Sequence, residues 1–146
     1  MHGPKTVLVA VPLLLTLGCA RRLPPVQASA GLPGTYGLVT IDGHPVPFTP
    51  ADPDRPANAP PGPTIVASTF TVGPDSTFRM SMRYRMPMGD TGQVVQREFS
   101  GTYVRQGDAY NFTWAGAGQT PVSLRGDTLT LNNMGMLFAY VRQRRR

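Results

Sequence analysis

The sequence has few of the side chains that polar active sites require. Its 146 residues include one cysteine (Cys19), one glutamate (Glu98), one lysine (Lys5) and two histidines. A single cysteine cannot form a disulfide within the chain, and the remaining polar residues show no nucleophile or base motif. A pair of carboxylates would have to come from aspartates in loops, which their spacing neither supports nor excludes. We therefore expect no enzyme activity, no catalytic residues, no cofactor and no resident metal.

Glycine and proline, in contrast, are abundant, with 16 of each. So many helix breakers exclude an ordinary helical bundle. The hydrophobic fraction of 40% excludes a disordered chain, and the length fits one domain. Composition therefore favours a single all-β domain.

The N-terminus has the pattern of an export signal. An apolar run from Val7 to Leu17 follows Lys5 and is too short to cross a hydrocarbon core of about 30 Å as a helix. Cys19 comes directly after Gly18, which resembles the lipobox of bacterial lipoproteins, where the cysteine is S-acylated and becomes the mature N-terminus. This predicts a signal peptide at 1–18 and a lipidated tether at 19–33. The alternative is a secretory signal cut after Ala30, which ends an Ala-x-Ala pattern.

The lipoprotein resemblance also implies a location. A diacylglyceryl group and an N-acyl chain on Cys19 would hold the protein stably on its membrane. We therefore expect the membrane to be its partner, bound through this lipid anchor. Ala20 stands directly after the cysteine, in place of aspartate, and this resembles the outer-membrane sorting pattern. The implied location is the bacterial cell envelope, at the periplasmic face of the outer membrane.

Positive charge does not indicate a nucleic-acid partner. Beyond residue 18 the chain has 13 arginines and eight acidic residues, which leaves a net charge of +5. This charge is spread along the chain, apart from a basic tail at 143–146. Because no aromatic and basic recognition motif accompanies it, we expect no nucleic-acid binding.

Short alternating runs separated by turn dipeptides begin at Gly34. Glycine, aspartate and asparagine supply the backbone conformations of tight hairpins, as at Asp42-Gly43 and Gly126-Asp127. The clearest run is 77–88, where apolar residues occupy every second position, a period typical of a strand with one buried face. Eight strands are predicted, at 35–41, 64–72, 77–86, 93–105, 109–115, 120–125, 127–132 and 136–142.

Tight turns between successive strands predict an antiparallel meander. Closing such a meander removes its exposed edges, so we expect an eight-stranded up-and-down barrel over 34–142. The exception to the tight turns is the loop 49–63, which contains six prolines. It is either a stiff surface connection or a flap over one mouth of the barrel.

Several segments of the predicted barrel resemble small lipocalin-like lipoproteins of bacterial envelopes. They are Gly34–Val39, Asp42–Pro47, Ser100–Tyr103, Gly107-Asp108 and Gly126–Leu131. The resemblance implies a small calycin-like β-barrel. Gly34-x-Tyr36 is similar to the Gly-x-Trp of lipocalin first strands, and Arg142 stands where lipocalins place an arginine across that aromatic ring. The resemblance therefore implies that Tyr36 and Arg142 close the barrel floor by a cation–π contact.

An eight-stranded barrel can hold one small ligand or be filled by its own side chains. Our first hypothesis is a barrel that binds a small apolar or amphipathic molecule, and the alternative is a solid-core structural or protein-interaction module of the envelope. The two differ in whether a void lies beneath the 49–63 loop. We expect a monomer in either case. The inward residues predicted to contact a ligand are Phe78, Met80, Met82, Tyr84, Phe99, Tyr103, Phe112 and Trp114.

The methionines suggest one minor alternative. All six that follow Met1 fall in Met-x-Met pairs, at 80/82, 86/88 and 134/136. Residues two apart on a strand share a face, so each pair would offer two thioethers, the donor type that suits Cu(I). Methionine is also a common filler of apolar cores, which is the simpler interpretation.

Overall fold

Nine strands and no helix run through the residues that the computed structural model describes, 31–87, 92–133 and 135–144. No helix in these ranges could cross a bilayer. Several predicted features lie outside the described residues: the signal peptide, Cys19, the cleavage site at Ala30, Met88, Met134 and the last two arginines of the tail. The strands are β1 (Gly34–Ile41), β2 (His44–Pro45), β3 (Thr64–Val72), β4 (Thr77–Met86), β5 (Gln93–Gln106), β6 (Ala109–Trp114), β7 (Gln119–Arg125), β8 (Thr128–Asn133) and β9 (Met136–Arg142).

The eight long strands form a closed antiparallel barrel. Each pairs with the next along the chain, from β1 to β3 and then in sequence to β9, and β9 pairs back onto β1. The predicted up-and-down barrel is confirmed, and the eight predicted strands match the observed ones to within one residue at each end. The short strand β2 hooks onto the end of β1, where Ile41 pairs with His44. It was not predicted, because two residues show no period.

The core is the inner face of these strands. On β4 the side chains of Phe78, Met80 and Met82 are buried, whereas the alternating Arg79 and Arg83 are exposed. A large apolar side chain contributes about 1.5–3 kcal/mol when it is fully buried, so this alternation fixes the face that each strand turns inward.

The floor of the barrel is closed by Arg142, the last residue of β9. Its guanidinium carbon lies 4.7 Å from the ring centroid of Tyr36, and its Nη1 and Nη2 donate to the carbonyl oxygens of Pro33 (2.7 Å) and Gly31 (2.6 Å). Nη2 also donates to the Tyr36 hydroxyl. Nε makes no hydrogen bond but lies 3.5 Å from Oδ1 of Asp127, and this ion pair compensates its charge.

Tyr36 holds the preceding segment against the same floor. Its hydroxyl donates to the carbonyl oxygen of Leu32 at 2.7 Å, and the Leu32 side chain is buried there. Burial raises the pKa of the Tyr36 phenol, although the charge of Arg142 opposes the rise, so the hydroxyl keeps its proton for this bond. Residues 31–33, which we assigned to the tether, are thus packed against the barrel.

Replacing Arg142 by lysine tests this closure. A lysine keeps the charge but lacks the planar fork that reaches several acceptors and stacks on the Tyr36 ring. We expect R142K to lower the free energy of unfolding in urea by about 2–3 kcal/mol. The control R144K changes a residue that is 89% exposed and should have no measurable effect. Equal stability of the two variants would contradict the role given to Arg142.

Candidate ligand cavity

A cavity of about 720 Å³ occupies the end of the barrel opposite the floor. At this end β3, β7 and β9 begin, and β4, β6 and β8 end. The wall is largely apolar, and it extends to Pro50 and Pro63 near the two ends of the 49–63 loop. A void therefore lies where the ligand hypothesis requires one.

Five of the eight predicted ligand residues line this cavity: Met80, Met82, Tyr84, Phe99 and Trp114. The other three lie nearer the floor. The rings of Phe78 and Phe112 pack against each other with centroids 4.8 Å apart, and the Tyr103 hydroxyl donates to the carbonyl oxygen of Gly73 at 2.7 Å. Aromatic rings thus fill the lower half of the barrel and leave the upper half open.

Sequence reasoning did not assign several other cavity residues to the ligand site. Ile65, Thr120, Met136 and Phe138 lie on inward faces of β3, β7 and β9, and the turn 115–118 adds part of the rim. Strand alternation places Thr120, Met136 and Phe138 inside the barrel, but Ile65 faces inward only because the register of β3 shifts between Ile65 and Ala67. Alternation carries no signal for the height of a residue along the barrel axis, which decides whether it meets the cavity.

The cavity also opens at the side of the barrel, between β5 and the β6–β7 turn. Strand β5 pairs with β6 only from Gly101 onward, and the Ser100 carbonyl oxygen accepts a hydrogen bond from the Ala115 amide at 2.9 Å. Residues 93–99 pair with β4 alone. The cavity reaches this edge of β5 at 98–100 and the turn at 115–118. A ligand could therefore enter from the side as well as from the end.

Trp114 stands at this side opening. Its Nε1 donates to Oγ1 of Thr120 at 2.9 Å, and its ring meets Phe99 edge-on with centroids 6.4 Å apart. The hydrogen bond satisfies the indole N–H and fixes the ring in the wall. Since the sequence has no other tryptophan, fluorescence from Trp114 reports directly on this cavity.

A buried hydroxyl pair lies inside the barrel and contacts one of the methionines that line the cavity. The Ser68 and Tyr140 hydroxyl oxygens lie 3.1 Å apart, and the Tyr140 hydroxyl also contacts Sδ of Met80 at 3.4 Å. Burial raises the pKa of Tyr140 to about 12, while the Ser68 hydrogen bond limits the rise. The Tyr140 phenol therefore stays neutral, and the two hydroxyls form a polar contact within the apolar interior of the barrel.

Among the described residues, no group of three or more His, Cys, Asp or Glu side chains could hold a metal ion. Three thioethers, of Met80, Met82 and Met136, line the cavity. The Met80/Met82 pair does share the inner face of β4, but Met88 and Met134, which complete the other two pairs, lie outside the described residues. Copper binding remains the minor hypothesis.

The raised pKa of Tyr140 predicts a loss of stability in alkali. An unfolded tyrosine ionises near pH 10, whereas Tyr140 in the folded protein holds its proton to about pH 12. Its contribution is fully present below pH 10 and is lost as the pH rises to 12, by roughly 2–3 kcal/mol. In urea unfolding, Y140F should be less stable at neutral pH but should lose less stability over this range. Parallel curves for wild type and Y140F would refute this assignment.

No protein-family model matches the chain, and neither does any curated protein or solved structure. The described residues nevertheless form a closed eight-stranded antiparallel barrel, an architecture consistent with a calycin-like fold. What the chain binds must therefore be inferred from the cavity and the residues that line it.

Proposed function

We propose that this protein is a lipid-anchored, lipocalin-like protein of the bacterial envelope whose barrel binds one small apolar or amphipathic molecule. The observation that carries the proposal is the cavity of about 720 Å³ beneath the ends of the 49–63 loop. Ligand pockets typically measure roughly 300–1,000 Å³ and have mostly apolar walls with a few polar groups. The cavity matches that description in size and in its lining.

The lining also favours an apolar ligand over a polar one. Part of the cavity wall offers no strong hydrogen-bond donor or acceptor, namely the side chains of Met80, Met82, Met136 and Phe138. A polar molecule against this part of the wall would lose its hydration without compensation. An alkyl chain, in contrast, gains about 0.8 kcal/mol for each methylene that it buries. Flexible methionine side chains can adapt to chains of different shape.

Titration of the full protein with a fluorescent fatty-acid analogue, followed through Trp114, tests ligand binding. We expect saturable binding in the wild type. M136E would place a carboxylate on the half-buried cavity wall and should weaken binding at least tenfold, because the charge is poorly solvated there. The matched control L137E changes the next residue, which is 49% exposed and lies outside the cavity lining, and should leave binding unchanged.

The controls separate the two hypotheses. Thermal unfolding of both variants checks that each remains folded. Equal binding by M136E and L137E would mean that the probe does not enter the cavity. No response of the wild type to any lipid class would favour the alternative, a structural or protein-interaction barrel of the envelope.

The sequence supports the lipid anchor. Cys19 follows Gly18 at the end of an apolar run, and Ala20 matches the outer-membrane sorting pattern. Residues 31–33 are packed on the floor, opposite the cavity, so the segment that would carry the anchor joins the barrel at the end away from the mouth. This arrangement is compatible with a tethered protein whose cavity stays accessible.

Mass spectrometry of the mature protein tests the anchor. We expect an N-terminus at Cys19 that carries three acyl chains, and we expect C19A to release the protein from the membrane fraction, because the acylated atom is lost. An unmodified N-terminus at Gly31, unaffected by C19A, would instead establish cleavage after Ala30 and a soluble protein.

A further inference from the structure

Arg97 lies on the inner face of the barrel wall, at the mouth. In the β4–β5 ladder it pairs with Met82, and two residues further Phe99 pairs with Met80. Because side chains alternate along a strand, Arg97 shares the inner face with Phe99, whose ring lines the cavity. Arg97 is exposed and is not one of the residues that line the cavity, so its guanidinium reaches solvent beside the lining residue Phe99.

The other arginines near this site have different positions. Arg79, Arg83 and Arg85 alternate with the buried residues of β4 and lie on the outer face. Of the other inner-face arginines, Arg142 closes the floor, and Arg105 Nε donates to the Gly107 carbonyl oxygen at 2.9 Å near the floor.

Arg97, in contrast, makes no hydrogen bond or ion pair within the part of the chain that the structure describes. Its nearest charged neighbour along the chain is Glu98, which alternates with the inward residues of β5 but lines the cavity where the cavity reaches the edge of this strand. The Glu98 carboxylate accepts a hydrogen bond from Nε2 of Gln96 at 2.8 Å, and within the described residues no ion pair joins it to Arg97. Within the described residues, no acceptor therefore engages any of the five donors of this guanidinium.

Tyr84 adds a second polar group at the same place. Its half-buried ring lines the cavity, and its phenol is close enough to Arg97 to feel the arginine charge, which opposes the rise that burial causes in the pKa of Tyr84. The phenol therefore keeps its proton at neutral pH and can donate a hydrogen bond. The cation of Arg97 and the hydroxyl of Tyr84 thus lie near each other at the mouth, whereas the Glu98 carboxylate lines the cavity at the edge of β5.

We infer that the cavity takes a single-chain amphiphile with an anionic head group, whose carboxylate or phosphate is held by Arg97 and the Tyr84 hydroxyl. This inference rests on the ligand binding proposed above. The planar guanidinium matches both oxyanions and can bind them through two parallel hydrogen bonds. The alkyl chain then lies among Met80, Met82 and Phe99, where it is removed from water.

Three probes with the same chain test the head group: dodecanoate, dodecyl phosphate and dodecanol, titrated into the full protein at neutral pH and followed through Trp114. We expect both anions to bind at least tenfold more tightly than the alcohol. R97Q should bring the anions to the affinity of the alcohol and leave the alcohol itself unchanged. Tighter binding of one anion would identify which head group the site takes.

The matched control is R83Q, which removes one positive charge from the outer face of the neighbouring strand. It should change anion binding by less than about twofold, because the removed charge is exposed to solvent and screened. E98Q should strengthen anion binding slightly, since it removes a nearby negative charge.

The outcomes distinguish this inference from the function on which it rests. If all three probes bind equally and R97Q has no effect, the head-group assignment is overturned while the cavity stands. If R83Q weakens anion binding as much as R97Q, net charge and not a site at the mouth is responsible, and the assignment is again overturned. If no probe binds, the proposed ligand-binding function itself is refuted.

Discussion

Pairing of β1 with β9 is the contact on which the rest of the structure depends. It turns a meander with two exposed edges into a closed wall, so every long strand has a partner on both sides over part of its length. The ends of β3 and β5 near the mouth extend past their pairing with β1 and β6. The pairing is fixed at the floor, where Tyr36 lies opposite Arg142, and continues upward to Ile41 and Phe138. The register shifts between Leu38 and Thr40, and the pairing above this shift positions Phe138, which is part of the cavity wall.

The division into a filled and a hollow half follows from where the large rings lie. Phe70 contacts Phe78 and Phe112 with centroids 5.3 and 5.5 Å apart, and together the three rings occupy the cross-section above the floor. Toward the mouth, three methionines and the rings of Tyr84, Phe99, Trp114 and Phe138 line a cavity. The shorter β6 leaves part of β5 unpaired there, so the wall also opens laterally. One barrel thus combines a rigid base with an adaptable cavity.

The sequence predicts the strands well because two local signals coincide. Period-two burial places Met80 and Met82 on one face, and glycine-containing turns end each run, so strand bounds and topology follow from local sequence. Position along the barrel axis depends instead on inter-strand register, which no local signal contains. Phe78 and Phe99 were therefore predicted as equivalent ligand residues, although only Phe99 reaches the cavity. The side opening depends on β5 extending past β6, a property of the pairing.

The positions of the arginines in the barrel show which positive charges are available to a ligand. The excess of arginine over acidic residues is diffuse along the sequence and indicates no partner by itself. The strand register shows, for each arginine on a strand, whether it lies on the inner or the outer face and where it lies along the barrel axis. The charges of the arginines on the outer face of β4 are screened by solvent. Arg142 is already paired with Asp127 at the floor. Arg97 differs because its charge lies beside a largely apolar cavity, so that one amphiphilic molecule can place its oxyanion on the guanidinium and its alkyl chain in the cavity.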